Sequence, residues 1–382
     1  MPKSVRESKT PKAATTPRAD RPLSPRDLNR ATLARQMLLA REKVPVVKAV
    51  ERAFALQAQW PKPPFVALWT RLHDFKPEHL ADALLDRKLV RATLFRGTIH
   101  TVTPQTYADT RPLIQDVLTK ACKTLFKGDF DELDLPAILA RARELLHDHP
   151  RTFTELRELL QQTFPKVNDR LLGFSVRMNL PLVMAPDDSR WAHPQDAAFA
   201  LADEWIGAKI ETKQTPADLV LRHLSILGPA SVVELQAWLG IPNLKPVVES
   251  LRPKLIALRD EKKRELFDLP DAPRPGGDVE APVRLLAEFD NPLNVRADER
   301  FVATAHRKQV YLPGLRVAGT FLVDGFVAGA WVVKREKKVA AITLTPFGKL
   351  DARSKKALEA EADPLCKLLE PEAKDHEVRF AK

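Results

Sequence analysis

Residues 89–102 read LVRATLFRGTIHTV, with β-branched and aromatic side chains on both sides of Arg96-Gly97. This composition around a glycine predicts two antiparallel strands joined by a short turn. Upstream, apolar residues recur at helical spacing in two segments broken near Pro45 and in a third segment over 77–88. Three helices followed by a two-stranded hairpin is the layout of a winged helix, which we predict for residues 29–107.

The same order of elements recurs twice downstream. Helices are predicted at 137–147, 153–160, 167–178, 217–227, 231–239 and 244–252. Hairpin arms are predicted at 182–185 with 190–192, and at 255–258 with 265–269. A repeated unit is a stronger signal than a single copy, because chance helix patterns do not keep their order. We therefore expect three tandem winged helices, the second over 108–196 and the third over 197–272, each of these two preceded by a linking helix.

After the Pro/Gly-rich linker 272–277 the pattern changes to short strands. Strands are predicted at 283–286, 300–303, 318–323, 325–333 and 339–344. Asp324-Gly325 lies between two apolar runs, which is a strong hairpin signal. We predict a small β-barrel or sheet domain over 280–347, followed by a C-terminal helix and tail over 348–382. The expected fold class is mainly α with β (α+β).

The composition limits the function classes. The chain has 382 residues, a formal charge of +11 and only two cysteines, Cys122 and Cys366, so a disulfide framework is excluded. The longest apolar run, Phe326 to Val333, is far shorter than the roughly 20 residues of a membrane span. Residues 1–28 are basic, rich in proline and poor in large apolar side chains, which predicts a disordered tail. We expect a cytoplasmic monomer without membrane contact.

The sequence contains no GxxxxGK[ST], GxSxG or HExxH motif, so we expect neither a cofactor nor a metal. Basic runs lie at predicted hairpin turns, as in 262–264 and 334–338, where they could straddle phosphates. The alternative is that the charge only solvates the surface and that the winged helices contact proteins.

Two amides, Gln57 and Gln59, lie at the end of a predicted apolar helix, just before Pro61. Composition alone favours solvated residues at a helix C-terminus.

The segment 56–59, Leu-Gln-Ala-Gln, followed by 65–72, resembles the signature of the bacterial winged-helix DNA glycosylases, the AlkZ-like and YcaQ-like family. The resemblance extends over about residues 30–345, in the same motif order. Further matching segments are 89–91, 96–100, 289–291 and 323–331. It implies tandem winged helices with a C-terminal β-domain around a basic concave surface, and an enzyme that excises alkylated bases and unhooks interstrand crosslinks.

The glutamine at position 59 makes the motif similar to that of the AlkZ-like branch, since YcaQ-like members have Asp at this position. Two positions depart from the family pattern, which commonly has an acidic residue before Pro61 and Thr in place of Ala330. The resemblance implies that Gln57 and Gln59 are catalytic. This agrees with the chemistry, because a cationic alkylpurine is a good leaving group that needs little acid assistance, and amides can hold the attacking water.

Six further residues are candidate DNA contacts. They are Arg91, Arg96, Thr98, His100, Lys334 and Arg335. For the first hairpin the alternative is that Thr98 and His100 only fix the turn through side-chain to backbone hydrogen bonds. For the Asp324-Gly325 hairpin the alternative is a purely structural role.

We therefore expect a DNA glycosylase that acts on double-stranded DNA with alkylated bases or crosslinks. The alternative from another class is a non-enzymatic winged-helix DNA-binding protein, such as a regulator or nucleoid factor. Only the enzyme should leave abasic sites in alkylated DNA of any sequence.

Overall fold

The computed structural model describes residues 21–147 and 149–381. Its α-helices are α1 Pro25–Arg35, α2 Val46–Ala53, α3 Pro63–Trp69, α4 Pro77–Leu85, α5 Pro104–Thr110, α6 Gln115–Leu125, α7 Leu135–His147, α8 Phe153–Thr163, α9 Asp169–Asn179, α10 Ala202–Ile206, α11 Pro216–Leu227, α12 Val232–Leu239, α13 Lys245–Ser250, α14 Arg307–Val310 and α15 Ala352–Leu369. Its strands are β1 Leu56–Gln57, β2 Val90–Thr93, β3 Ile99–Val102, β4 Leu182–Met184, β5 Phe199–Leu201, β6 Ile256–Arg259, β7 Glu265–Asp268, β8 Arg284–Leu286, β9 Tyr311–Leu312, β10 Arg316–Val317, β11 Thr320–Val323, β12 Phe326–Glu336, β13 Val339–Pro346 and β14 Asp375–Phe380. None of the described helices is both long enough and apolar enough to span a membrane.

The first predicted hairpin is confirmed: β2 and β3 pair in antiparallel orientation, and the chain reverses through Arg96 and Gly97, both at positive φ. β2 also pairs with β4, so the hairpins of the first two units form one antiparallel sheet in the order β1-β3-β2-β4-β5. The second arm predicted at 190–192 is wrong, because the strand is Phe199–Leu201, whose side chains are buried. Trp191 instead packs against Phe65 from a loop, at 4.9 Å between ring centroids.

The third unit has its own two-stranded sheet, β6 with β7, as predicted. Its helix α11 packs with α1, and Trp238 of α12 packs on Phe95 of the first unit at a centroid distance of 5.0 Å. A buried ion pair joins Arg35 to Asp268 at 2.8 Å. The regions predicted as the first, second and third units therefore contribute to one hydrophobic core, which also includes Leu293 and Phe301.

The C-terminal region is an open five-stranded sheet in the order β14-β13-β12-β11-β8, so the barrel alternative is wrong. The edge strand β14, which runs parallel to β13, was not predicted. The strand predicted at 300–303 is also wrong, because the buried polar contacts of Arg300 set the path of the backbone there. Arg300 is fully buried and forms ion pairs with Asp298 and Glu234, each at 2.8 Å.

The predicted N-terminal tail extends too far along the chain. Helix α1 begins at Pro25, with a capping box between Ser24 and Asp27, and Leu28 is buried. The rest of the predicted tail, residues 1–20, lies outside the described residues.

Candidate active site

The glutamine motif lies on a strand and not at a helix end, which corrects the sequence prediction. Helix α2 stops at Ala53, eight residues before Pro61, because Phe54 adopts φ 68°. Positive φ costs a non-glycine residue about 1–2 kcal/mol, and burial of the Phe54 ring against Phe95 and Trp238 offsets it. The chain then extends into β1, where Gln57 lies opposite His100.

Gln57 faces a cavity of about 740 Å³ between β1, the β2–β3 turn, α11 and α12, and two C-terminal loops. The cavity is lined by Gln57, Arg96, Thr98, His223, Leu227, Ala230, Glu234, Ala237, Trp238, Phe289, Asn294, Val295, Arg296, Ala297, Tyr311, Leu312, Pro313, Gly314, Leu315 and Arg316. These residues come from five separate parts of the chain, so no local motif marks the cavity.

The side chain of Gln57 is buried and held by two neighbours. Its Oε1 accepts hydrogen bonds from Arg96 Nη2 at 3.1 Å and from Asn294 Nδ2 at 3.4 Å. Arg96 is anchored in turn, because it donates to the carbonyl of Trp238 and lies 5.3 Å from the centre of the Trp238 ring. Burial, with repulsion from Arg296, lowers the pKa of Arg96 to about 10, so the guanidinium remains charged at neutral pH.

Strand β1 ends at Gln57. The Ala58 amide still donates to the Ile99 carbonyl at 2.7 Å, but Gln59 lies at a bend of the chain. Gln59 does not line the cavity itself. Its Oε1 is buried without a hydrogen-bond partner in the described chain, and such an orphaned acceptor costs about 1–3 kcal/mol. A bound water or substrate group would satisfy it.

Arg91, predicted to contact DNA, is buried behind the motif. Its Nε donates to the Ala58 carbonyl at 3.1 Å, and Nη2 lies 3.4 Å from the Gln59 carbonyl. Burial, with repulsion from Arg177, lowers the pKa of Arg91 to about 10. In this structure Arg91 supports the backbone of the glutamine motif.

Thr98 and His100 make the side-chain to backbone hydrogen bonds that are expected if these residues only fix the turn. Thr98 Oγ1 donates to the Phe95 carbonyl at 3.0 Å, and His100 Nδ1 lies 3.1 Å from the Thr98 carbonyl. His100 is buried, its Nε2 has no partner in the described chain, and burial beside Arg96 lowers its pKa to about 3. His223, in the cavity wall, also has a pKa lowered to about 3 by burial and by nearby arginines. Both imidazoles are neutral at neutral pH.

The β9–β10 hairpin, which was not predicted from the sequence, covers one side of the cavity. At its tip Leu315 is 93% exposed, and Arg316 is exposed beside it. The exposed Arg296 stacks on Tyr311 with its guanidinium carbon 4.2 Å from the ring centre. The Pro313-Gly314 pair is a turn signal that could have indicated this hairpin, although nothing in it indicates the cavity.

The other predicted basic pair lies elsewhere. Lys334 and Arg335 are exposed near the end of β12 and do not line the cavity. Arg335 forms an ion pair with Glu372 at 3.1 Å. The Asp324-Gly325 turn contacts α1, where Arg26 and Arg30 bind the Asp324 carboxylate.

Few carboxylates lie near the side chains of Gln57 and Gln59 in the described chain. Among the described residues Glu234 is the one carboxylate in the cavity lining, and it is engaged by Arg300 and by the Ser231 hydroxyl. Glu288, half-buried near Trp60, has a pKa raised by burial and does not line the cavity. No group of three or more His, Cys, Asp or Glu in the described chain could hold a metal ion.

Comparison with known proteins identifies the class. The family model for the AlkZ-like DNA glycosylases matches residues 50–368, most of the chain. The chain therefore belongs to the AlkZ-like DNA glycosylase family, a family of DNA-binding repair enzymes. Between the two functions predicted from the sequence, this supports the glycosylase over the non-enzymatic regulator.

Among solved structures, the chain is similar to the Streptomyces sahachiroi DNA glycosylase AlkZ, with a TM-score of 0.74 and 18% sequence identity. The match covers 94% of this chain and 100% of the other. No curated protein sequence matches this chain.

Proposed function

We propose that this DNA glycosylase hydrolyses the N-glycosidic bond of cationic alkylpurines, such as N7-alkylguanine and N3-alkyladenine, with Gln57 and Gln59 as the catalytic pair. The observation that carries the proposal is a cavity lined by the buried amide of Gln57 and, among the described residues, by no unengaged carboxylate. Without a general acid, an unmodified base would be a poor leaving group. An alkylated purine already has the positive charge that makes it leave.

In the proposed reaction a water oxygen attacks C1′ while the C1′–N9 bond breaks. The electron pair of that bond passes to the base and cancels its positive charge, and the proton lost by water goes to solvent. The amides orient the water against a sugar with oxocarbenium character, which is a contribution of positioning. We propose that crosslinks attached through the same purine nitrogens are unhooked by this step.

We further propose that three winged-helix units and the C-terminal sheet form the scaffold that binds duplex DNA. Arg296 and Arg316 at the cavity edge are exposed cations placed to contact phosphates. Arg96, Thr98 and His100 act close to the lesion, within the cavity wall or behind it. A DNA contact by Lys334 and Arg335 stays a prediction.

The test is single-turnover release of 7-methylguanine from a methylated duplex. Positioning a water is commonly worth about 10² to 10⁴ in rate, so Gln57→Ala and Gln59→Ala should each slow release by that order while DNA affinity and melting temperature stay unchanged. Gln59→Asp should be tolerated better than Gln59→Ala, since a carboxylate also holds water.

Gln161→Ala, an amide outside the cavity lining, is the matched control. Release at the wild-type rate by the Gln57→Ala/Gln59→Ala double variant would refute the proposal. Loss of release in Glu288→Gln would instead assign the activation of water to that carboxylate.

A further inference from the structure

The two amides of the motif differ in what they can still bind. Both hydrogen bonds that the structure gives the Gln57 side chain are accepted by Oε1. A guanidinium has donors only, so the atom facing Arg96 must be the amide oxygen and not the nitrogen. Asn294 Nδ2, which also donates to the Phe289 carbonyl at 3.0 Å, is the second donor. With both lone pairs engaged, Gln57 has only its NH₂ group left to offer in the cavity.

For Gln59 the buried atom that lacks a partner in the described chain is the acceptor Oε1. A buried unsatisfied acceptor is destabilising, so Oε1 is the atom of Gln59 that gains most from a bound donor such as water. The group still available on Gln57 is a donor, and the unsatisfied buried group on Gln59 is an acceptor.

Among the described residues, no carboxylate competes with Gln57 for the guanidinium of Arg96. Arg96 makes no ion pair with any carboxylate of the described chain, and its other hydrogen bond goes to the Trp238 carbonyl. The backbone around it is also constrained, because Arg96 has φ 58° and a Cβ on Gly240 would lie 3.1 Å from its amide nitrogen. Such a half-buried cation, held on several sides, is suited to fixing the orientation of a neighbouring amide.

We infer that Arg96 is a positioning residue that holds Gln57 with its NH₂ toward the cavity, so that Gln57 serves the reaction as a hydrogen-bond donor and Gln59 as the acceptor. Gln59 Oε1 accepts from the attacking water. Gln57 donates to a ring nitrogen of the departing purine, which gains electron density as the C1′–N9 bond breaks. This assignment rests on the proposed excision reaction and goes beyond it by giving each amide a distinct role.

The first test exchanges each amide for the nearly isosteric carboxylate. Gln57→Glu keeps acceptors but has no donor, and its charge would pair with Arg96; removing one such donor costs about 10²- to 10³-fold in rate. Gln59→Glu keeps the acceptor and should excise within about 10-fold of wild type, a loss far below that range. Both variants add one negative charge, so each controls for the other's effect on DNA affinity. The reverse ranking would overturn the assignment.

The second test removes the positioning group. Arg96→Met should lower the single-turnover rate at saturating enzyme by about 10- to 100-fold, with DNA affinity changed much less, and Arg96→Lys should restore part of the rate because it keeps a donor. Asn294→Ala should give a smaller loss in the same direction, and it keeps the test open if Arg96→Met does not fold. Equal losses in rate and affinity in Arg96→Met, with no rescue by lysine, would contradict a positioning role.

A spectroscopic measurement separates this inference from the proposed reaction. The side-chain NH₂ signal of Gln57, assigned by its loss in Gln57→Ala after ¹⁵N-glutamine labelling, should shift in Arg96→Met and in Asn294→Ala without DNA present. An unshifted signal would overturn the positioning role whatever the activity. If the wild-type protein releases no 7-methylguanine but the Gln57 signal still shifts in the two variants, the proposed substrate is refuted. The orientation of Gln57 then remains supported.

Discussion

At the residue scale, the site is a set of polar groups held in a single state by burial. His100 and His223 cannot gain a proton without bringing a charge into the core beside Arg96, so both stay neutral. Gln57 is fixed by partners from two distant segments. The chemistry therefore depends on which atoms remain unengaged, and not only on which residues are present.

The neutral histidines predict a pH dependence of stability. Their folded-state pKa of about 3 lies below the ordinary value of 6.5. The unfolded chain therefore binds more protons between these values, and the free energy of unfolding should fall as pH drops from 6.5 toward 3. Each histidine should cost about 2 kcal/mol between pH 6.5 and pH 5, as an upper bound.

Urea unfolding at pH 7 and pH 5 measures this loss. His223→Leu should reduce the difference in the free energy of unfolding between pH 7 and pH 5. His149→Leu, at an exposed position, should leave that difference unchanged. An unchanged difference in His223→Leu would contradict a neutral buried imidazole.

At the element scale, two hairpins of the C-terminal region have different tasks. The Asp324-Gly325 turn packs against α1, whereas the β9–β10 hairpin lines the cavity. Asp324 and Gly325 both have positive φ, and a Cβ on Gly325 would lie 2.4 Å from Asn29 Oδ1. The turn thus requires glycine for both conformation and space.

Gly325→Ala should therefore lower the free energy of unfolding by about 2–4 kcal/mol, the sum of backbone strain and overpacking. Gly207→Ala is the matched control, since Gly207 also has positive φ but has nothing within 4 Å of the added Cβ. It should cost about 1 kcal/mol. Equal losses in urea unfolding would show that contact with α1 adds nothing to the requirement for glycine.

The β9–β10 hairpin is expected to act on DNA through its tip. An apolar side chain as exposed as Leu315 contributes little to stability, but it can be inserted between bases, as other DNA-deforming proteins do. Leu315→Ala should leave the melting temperature unchanged and slow 7-methylguanine release by about 10-fold or more, given a stacking cost of a few kcal/mol.

Val332→Ala is the control, because Val332 is also an exposed apolar residue, at 51%, and lies outside the cavity lining. Equal release by both variants and the wild type would exclude insertion of Leu315.

At the scale of the whole molecule, the charge of +11 predicts electrostatic binding to duplex DNA. Affinity for undamaged duplex should fall steeply with salt. Arg296→Ala/Arg316→Ala, at the cavity edge, should flatten the slope of log affinity against log salt by about 1 to 2. Lys334→Ala/Arg335→Ala removes the same charge at the other predicted DNA contact, so comparison of the two pairs shows which of them lies on the DNA path.

If the second pair flattens the slope and the first does not, the DNA path follows β12 instead of the cavity edge. The effect of the N-terminal residues should be measured by deleting residues 1–20. Deletion to residue 28 would also remove the Ser24 cap and the buried Leu28.

The sequence alone determined those features that depend on neighbouring residues. The turns at Arg96-Gly97 and Asp324-Gly325, the hairpin of the third unit and most helices follow from local periodicity and turn chemistry, and the structure confirms them. The catalytic role of the glutamine motif came from the family resemblance and stays a prediction. The placement of the motif at a helix end was wrong, because burial of Phe54 in a core built with Trp238 ended the helix early.

The assembly of the site depends on long-range packing. Gln57, Arg96 and Asn294 meet although they are up to 237 residues apart, and no periodicity encodes such a contact. The second arm of the second hairpin and the parallel edge strand β14 likewise depend on which apolar segment is buried by tertiary packing. Local sequence sets backbone preferences of about 1 kcal/mol or less per residue, whereas burying a large side chain contributes about 1.5–3 kcal/mol, so long-range packing decided wherever the two conflicted.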